Sequence, residues 1–153
     1  MSEKDVIDIA KEVLDTLLKL MGIEGRVKVF SRELPVVLNV EGEDLGILIG
    51  RQGQTLASLE HITKLVVAGQ LNSWLPLNVD VAGYRKRRNE SLQRLALHLA
   101  EQVKLKKHPI NLEPMPQYER RIVHLALADY PDVTTQSIGD GDNRKVVISP
   151  KLS

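Results

Sequence analysis

The amino-acid sequence predicts an α+β fold in two parts, and three features support this prediction. Apolar residues recur every three or four positions in several segments, which is the periodicity of amphipathic helices. Between these segments lie short runs that alternate apolar and polar residues, as strands do. Gly83 then marks a boundary. We therefore predict one domain over residues 1–82 and a second over residues 83–153.

In the first part, the spacing predicts a helix over Asp5–Met21 that Gly22 ends. Arg26–Phe30 and Pro35–Val40 predict two strands joined as a hairpin. Asp44–Ile49 predicts a short helical turn. The predicted buried face of the first helix consists of Val6, Ile9, Val13, Leu17 and Leu20.

A longer helix is predicted after Gly53, with Gly69 at its end, and Leu75–Val81 is predicted as a strand. The order in this part is therefore α-β-β-α-α-β. The apolar face predicted for the longer helix consists of Leu56, Leu59, Ile62 and Val66.

The second part opens with a predicted long basic helix, Tyr84–Lys107, which the proline at position 109 ends. Ile110–Leu112 is extended, residues 116–130 form a helix opened by proline, and Val133–Ile138 and Lys145–Ser149 form a hairpin around a glycine-rich turn. These segments predict a small α/β domain with a three-stranded sheet. The predicted buried seam of the long helix consists of Leu92, Leu95, Leu99 and Val103.

Composition excludes several classes of protein. A hydrophobic fraction of 42% indicates a folded core. The longest apolar runs fall far short of the ~20 residues of a membrane span, and the acidic N-terminus does not resemble a secretory signal. Without cysteine there is no disulfide framework and no thiolate metal site. The expected location is the cytoplasm; the sequence gives no oligomeric state.

Charge is unevenly distributed along the chain. The formal net charge is only +1, but residues 84–107 are strongly basic and include the consecutive residues Arg85, Lys86, Arg87 and Arg88. Such a segment can attract a polyanion, or it can be a solvated helix face, and charge alone does not decide between them. We expect the four residues to form a basic patch bridging the two domains. Because they span the helix circumference, some are expected to pair with Glu90 or with the acidic first helix.

Glycines at 50 and 53 enclose Arg51 and Gln52 at the start of the predicted longer helix. The absence of Cβ allows another backbone to approach closely, and the unpaired amides and dipole of a helix start favour an anion. With Arg51 at the tip and Gln54 following, the expected ligand is a nucleic-acid phosphate. A plain turn between helices also fits this spacing. A Walker loop and a dinucleotide fingerprint do not fit it.

The phrase from Gly46 to Leu56 closely resembles the core of a KH domain, and the element order is that of type II KH. KH domains clamp about four nucleotides of a single strand with this loop. Aromatic residues make up only 3% of the chain, which argues against an aromatic stacking surface. The apolar floor of the groove is predicted to include Ile47, Leu48, Ile49, Leu56 and either Val37 or Leu38, although at least half of these also suit an ordinary core.

Arg120 and His124 lie four residues apart, so they share one face of the predicted helix 116–130. Such a pair can contact phosphate. Incidental surface charge, or a histidine capping a carbonyl, fits the spacing as well. The side chains expected to turn inward are Tyr118, Ile122, Leu125 and Ala126.

Taken together, these motifs resemble the Jag, or KhpB, family, in which a type II KH domain precedes an R-three-H domain. The matching phrases are Gly50–Leu56, residues 80–88, residues 112–115, Tyr118–His124 and residues 143–150. The resemblance implies that Arg120 and His124 are the naming pair of the second domain, which binds single-stranded nucleic acid, and that Arg144 is a basic position after the hairpin turn. It implies a single-stranded RNA-binding, post-transcriptional role linked to cell elongation and envelope growth, and a small single-KH protein as partner.

Two departures from the family pattern affect these expectations. Many members carry a further N-terminal domain and linker that are not in this sequence. The KH loop often holds two basic residues, whereas here Gln52 is neutral, which predicts a lower affinity.

Two other functions were weighed against RNA binding. A protein-interaction adaptor with a degenerate KH fold would use Val27, Val29 or the first helix as a dimer surface. An enzyme is not predicted, because the histidines form no H-E-x-x-H motif and no carboxylate cluster has metal-binding spacing. No cofactor and no metal are expected. The predicted RNA-binding residues are Gly50, Arg51, Gln52, Gly53, Gln54, Arg85, Arg88, Arg120, His124 and Arg144.

Overall fold

The computed structural model describes residues 2–152. The chain divides into two compact units between Arg85 and Lys86. Among the described residues, no helix is both long and apolar enough to cross a membrane.

The first unit contains a three-stranded sheet in which β1 (Arg26–Ser31), β2 (Val36–Glu41) and β3 (Leu77–Val81) lie in that order. Strands β1 and β2 are antiparallel, as predicted for the hairpin. Strands β2 and β3 are parallel, a pairing that needs a crossover connection, and the helical segment between them supplies it. The predicted α-β-β-α-α-β order of a type II KH domain is confirmed. The elements are α1 (Glu3–Leu20), β1 (Arg26–Ser31), β2 (Val36–Glu41), α2 (Gly46–Ile49), a 3-10 turn (Arg51–Gly53), α3 (Gln54–Leu71) and β3 (Leu77–Val81).

Helix α1 begins at a capping box, in which the Ser2 backbone amide donates to the Asp5 carboxylate at 3.2 Å and the Asp5 amide donates to the Ser2 hydroxyl at 3.3 Å. Its buried face consists of Ile7, Ala10, Val13, Leu14 and Leu18. Of the predicted face, Val13 is buried and Ile9 and Leu17 pack against the core, whereas Val6 is only partly buried and Leu20 is 80% exposed. Apolar residues occur on neighbouring faces of this helix, so spacing alone did not choose between them.

Helix α3 differs from the prediction in two ways. Ile62 and Val66 are exposed, because the buried face contains Thr63 and Val67 beside the predicted Leu56 and Leu59. Thr63 can be buried since its hydroxyl donates to the Leu59 carbonyl at 2.7 Å. The helix also continues through the predicted stop at Gly69 and ends at Asn72, which has φ +54°.

The second unit contains a three-stranded antiparallel sheet in which β6 (Lys145–Pro150) lies between β4 (Ile110–Asn111) and β5 (Val133–Ile138). The predicted three-stranded sheet and the hairpin around the glycine-rich turn are therefore confirmed. The elements are α4 (Tyr84–Lys106), which begins in the last residues of the first unit, β4 (Ile110–Asn111), α5 (Gln117–Leu127), β5 (Val133–Ile138), a 3-10 turn (Gly141–Asn143) and β6 (Lys145–Pro150).

The helices of the second unit bury some of the predicted residues and some that were not predicted: Leu92 and Val103 are buried as predicted, and the predicted Leu99, Ile122 and Ala126 pack against the core. In α4 the core positions are Leu92, Ala96, Ala100 and Val103, and the predicted Leu95 is exposed. In α5 the buried residues are Glu119, Val123 and Leu127, while the predicted Tyr118 and Leu125 are exposed. Two alanines of α4 and one glutamate of α5 occupy core positions here, and the spacing of large apolar residues did not identify them.

Candidate nucleic-acid interface

The loop between α2 and α3 reverses the chain through left-handed backbone conformations. Gly50, Gln52 and Gly53 have φ values of +69°, +54° and +77°. The Gly50 amide donates to the Gly46 carbonyl at 3.0 Å. Glycine adopts positive φ without steric cost, which explains the glycines at positions 50 and 53. Gln52 is the one residue of the three that adopts positive φ with a side chain.

Contacts within the chain also require both glycines. A Cβ at Gly50 would overlap the Thr55 hydroxyl, and a Cβ at Gly53 would lie 2.9 Å from Cε1 of the Tyr84 ring. The sequence argument assigned the missing Cβ to the close approach of a nucleic-acid backbone. The structure gives a different reason for it, which is packing against Thr55 and Tyr84.

Replacing Gly53 with Ala is expected to lower the free energy of unfolding by about 1–3 kcal/mol, because the new Cβ meets the Tyr84 ring and φ is positive. Gly46→Ala is the matched control, since Gly46 lies in α2 with open space around its Cβ position, and it is expected to be neutral or slightly stabilising. Urea unfolding of the two variants measures the difference; equal stabilities would show that the loop tolerates a side chain.

The tip of this loop presents groups suited to an anion. Arg51 is exposed, Gln52 is half-buried, and Gln54 is the exposed first residue of the 18-residue helix α3. The positive end of a helix dipole and a guanidinium both favour negative charge. The predicted apolar floor is smaller than expected, because Leu38, Leu48 and Leu56 are buried in the core. Of the remaining candidates, Ile47 is 71% exposed, and Val37 and Ile49 are half-buried.

Arg85 and Arg88 both form ion pairs with acidic side chains of the protein. Arg85 Nη2 lies 3.1 Å from Glu60 Oε2 in the first unit. Arg88 donates from Nε and Nη2 to the two carboxylate oxygens of Glu119, at 2.7 and 3.1 Å in the second unit. These carboxylates differ from the expected partners, Glu90 and the first helix. Both side chains hold their own unit together, so their predicted contact with RNA would have to coexist with these pairs.

Glu119 is completely buried in the first turn of α5. The bidentate pair with Arg88 joins this turn to α4, and a carboxylate near a helix N-terminus is favoured by the dipole. The next residue along α5 is Arg120, so the pair fixes the position of the helix that carries the predicted arginine–histidine motif.

A pocket of about 660 Å³ lies beside α5 in the second unit. It brings together the predicted residues Arg120, His124 and Arg144. Sequence reasoning missed the other polar members, although Arg121 adjoins the motif and Ser137 occupies a strand position facing the same side as Thr135. The side chains lining the pocket are Gln117, Tyr118, Arg120, Arg121, His124, Leu125, Ser137 and Arg144.

Two of the pocket arginines are held by backbone carbonyls. Arg120 Nη1 donates to Met115 O at 2.6 Å, and Arg144 Nη1 donates to Gly139 O at 2.7 Å. A guanidinium has five N–H donors, so these bonds fix the side chains and leave donors for an anion. Three guanidinium groups around one pocket suit a phosphate-bearing ligand.

His124 bonds through both ring nitrogens to hydroxyl groups of β5. Its Nδ1 lies 2.7 Å from Thr135 Oγ1, and its Nε2 lies 2.8 Å from Ser137 Oγ. Partial burial, and secondly the charge of Arg120, lower the pKa of His124 below the ordinary 6.5. The ring is therefore neutral near neutral pH. Within residues 2–152, no cluster of three or more histidine or acidic side chains is placed to hold a metal ion.

Each of the two units matches the model of a known protein family. The family model described as KhpA/KhpB, KH domain, matches residues 5–75, and the R-three-H domain model matches residues 90–150. RNA-binding protein KhpB of Bacillus subtilis is 39% identical over 149 residues, which are 96% of this chain and 72% of that protein. The chain belongs to the KhpB family. RNA-binding protein KhpB of Clostridium symbiosum is 39% identical over 145 residues, and the alignment covers 95% of this chain and 64% of that relative.

The matches place both sites within the KhpB domains. The KH match contains the loop at Gly50–Gly53, and the R-three-H match contains Arg120, His124 and Arg144. A further relative, KhpB of Lactiplantibacillus plantarum, is 31% identical over 138 residues, which are 90% of this chain and 43% of that protein. The identification of the family from sequence motifs is therefore confirmed.

Proposed function

We propose that this chain binds single-stranded RNA. The observation that carries the proposal is the pocket beside α5, where Arg120, Arg121 and Arg144 surround a space of about 660 Å³. That volume falls within the roughly 300–1,000 Å³ of small-molecule sites, which suits one nucleotide. Two of the arginines are held in place by carbonyls, so little side-chain ordering is needed on binding.

The KH loop supplies the second proposed contact. Arg51 and the first turn of α3 meet a backbone phosphate, and the exposed Ile47 offers an apolar surface near the same turn. The loop binds the sugar–phosphate chain without reading sequence, because its donors are a guanidinium and helix amides. Relatives that carry the name RNA-binding protein support this assignment.

The salt dependence of binding tests the pocket. For single strands, the slope of log affinity against log salt is about −0.7 per phosphate contact. Replacing Arg120 and Arg144 with Ala is expected to make the slope shallower by up to about 1.4, because two contacts are removed. Fluorescence anisotropy with a labelled single-stranded RNA of mixed sequence, measured over a series of salt concentrations, gives both slopes.

The control for this experiment is Arg94→Ala. Arg94 is an exposed arginine of α4 that bonds to Ser91 and does not line the pocket, so its loss is expected to leave the slope nearly unchanged. An equal change in slope for both variants would mean that general positive charge, and not the pocket, binds the strand.

The proposal extends to a post-transcriptional role linked to cell elongation and envelope growth, supported by membership of the family. Crosslinking RNA to the protein in cells and sequencing the attached RNA tests this extension. Enrichment of messages for envelope and division proteins is the expected result, and a random sample of cellular RNA would count against it.

The second candidate function is a protein-interaction adaptor, and one observation favours it. Ile62, Leu65 and Val66 are exposed on α3, which leaves an apolar surface on the first unit. Two of the side chains expected from sequence are less suitable, because Val27 is buried and Val29 packs against the core; the first helix, also expected, stays a prediction. A small single-KH protein is the proposed partner. Leu65→Asp is expected to prevent co-purification with that protein while RNA binding remains; unchanged co-purification would exclude this surface.

A further inference from the structure

His124 has a hydrogen-bonding arrangement that accepts either protonation state of its ring. Both partners, Thr135 Oγ1 and Ser137 Oγ, are hydroxyl groups, at 2.7 and 2.8 Å. A hydroxyl can donate or accept and rotates to suit its neighbour, whereas a carbonyl or a carboxylate can only accept. The cost of reversing these bonds is therefore low, and protonation of the ring does not leave a buried group unpaired.

Protonation of His124 changes what Ser137 offers to the pocket. A neutral imidazole has one N–H; when that proton is on Nδ1, the ring donates to Thr135 Oγ1 and the Ser137 hydroxyl donates to Nε2. A protonated imidazole donates from both nitrogens, and both hydroxyls then accept. Ser137 lines the pocket, so its own O–H proton is then available to a ligand.

The surroundings of the ring are positive. Within residues 2–152, none of the side chains that line the pocket is a carboxylate. In the empty pocket this positive charge disfavours protonation of the imidazole, and a bound phosphate would offset part of it, because an opposite charge favours the protonated ring. The charged and polar groups that line the pocket or bond to the ring are Gln117, Tyr118, Arg120 and Arg121 on α5, Thr135 and Ser137 on β5, and Arg144 before β6.

We propose that His124, which in the empty pocket is neutral with its proton on Nδ1, is a proton-linked positioning residue: it takes up a proton from solvent when the pocket binds a phosphate and thereby turns the Ser137 hydroxyl toward the ligand. This inference rests on the proposed RNA-binding function. It assigns the histidine of the motif to a supporting position, and the arginines to direct contact with the strand.

The direction of the pH effect follows from linkage. In the free protein the pKa of His124 lies below 6.5, and a bound phosphate raises it. The complex therefore holds more protons than the free protein in the interval between the two pKa values, and affinity increases as pH falls through that interval. A rise in pKa of about one, the lower end of the range for an opposite charge within ~4–6 Å, corresponds to a gain in affinity of about tenfold.

The test compares the full chain with His124→Gln. Glutamine can bond to both hydroxyls through its amide but does not titrate. Affinity for a labelled single-stranded RNA of mixed sequence is measured between about pH 5.5 and pH 8, and proton uptake is measured by calorimetry in buffers of different ionisation enthalpy. The wild type is expected to bind about tenfold more tightly at the acidic end and to take up protons. The variant is expected to lose most of both effects.

The exposed residues His61, His98 and His108 are retained in both proteins, so any contribution from them is present in the variant too. An NMR titration of the His124 ring, with and without RNA, gives the same information without a substitution. The same pH profile for the wild type and the variant, or a His124 pKa that RNA does not raise, would overturn the inference and leave RNA binding intact. Failure of the wild type to bind RNA at any pH would instead overturn the proposed function.

Discussion

Replacing Glu119 with Ala is expected to lower the free energy of unfolding of the R-three-H unit by about 3–5 kcal/mol, the usual cost of removing one partner of a buried ion pair. Glu119 is completely buried, and both of its carboxylate oxygens accept hydrogen bonds from Arg88. The variant removes both of these hydrogen bonds to the Arg88 guanidinium and opens a space in the first turn of α5. Urea unfolding followed by circular dichroism measures the loss of stability.

The control is Lys104→Ala, which removes a more exposed ion pair in the same unit. Lys104 Nζ lies 3.9 Å from Asp132 Oδ2, and both side chains are substantially exposed to solvent. Such pairs contribute about 0–1 kcal/mol. Hydrogen exchange of the amides in 117–127 adds a local measurement, and faster exchange is expected for Glu119→Ala only. Similar losses of stability in the two variants would mean that the buried pair contributes no more than a surface pair.

Replacing Arg51 and Gln52 together with Asp is expected to reduce RNA affinity by at least about tenfold to a hundredfold, since hydrogen bonds to charged groups contribute about 1.5–3 kcal/mol and the new carboxylates repel phosphate. Gln52 has φ +54°, a conformation that aspartate tolerates, so the loop is expected to keep its shape. Anisotropy with single-stranded RNA measures the affinity, and circular dichroism checks the fold.

A matched control makes the same change in charge elsewhere on the KH unit. Arg32 is exposed near the β1–β2 turn, and Asn72 is an exposed residue that also has φ +54°. Arg32→Asp combined with Asn72→Asp is expected to weaken binding much less than the loop variant. If both double variants lost affinity equally, the loss would come from net charge, and the assignment of a phosphate contact to the loop between α2 and α3 would be wrong.

Sequence patterns gave the fold because each element carried a local signal. Alternation over Arg26–Phe30 predicted a strand, and the motifs flanking Gly50 and Gly53 predicted a turn between helices. Buried faces were less accessible to this reasoning. The exposed Ile62 and the buried Thr63 are adjacent on a helix that is apolar on most sides, so only tertiary packing decides which one enters the core.

The candidate sites were likewise predicted only in part. Arg120, His124 and Arg144 were predicted and line one pocket. The partner of Arg88 was not predicted, because Glu119 lies far along the chain and a glutamate in a basic, polar helix suggests solvent exposure. Long-range pairing of two charges leaves no mark on local periodicity. The hydroxyl partners of His124 were missed for the same reason.

The contact between Gly53 and the ring of Tyr84 links the loop between α2 and α3 to residues beyond the last KH strand. Arg85 adds a second attachment in the same unit, since it bonds to Glu60 and to the Val79 carbonyl. A fragment cut at the predicted boundary after residue 82 would lack both side chains, leaving one wall of the loop open and the Glu60 carboxylate short of a partner. The loop at Gly50–Gly53 is therefore completed by residues that a sequence-based division assigns to the neighbouring domain.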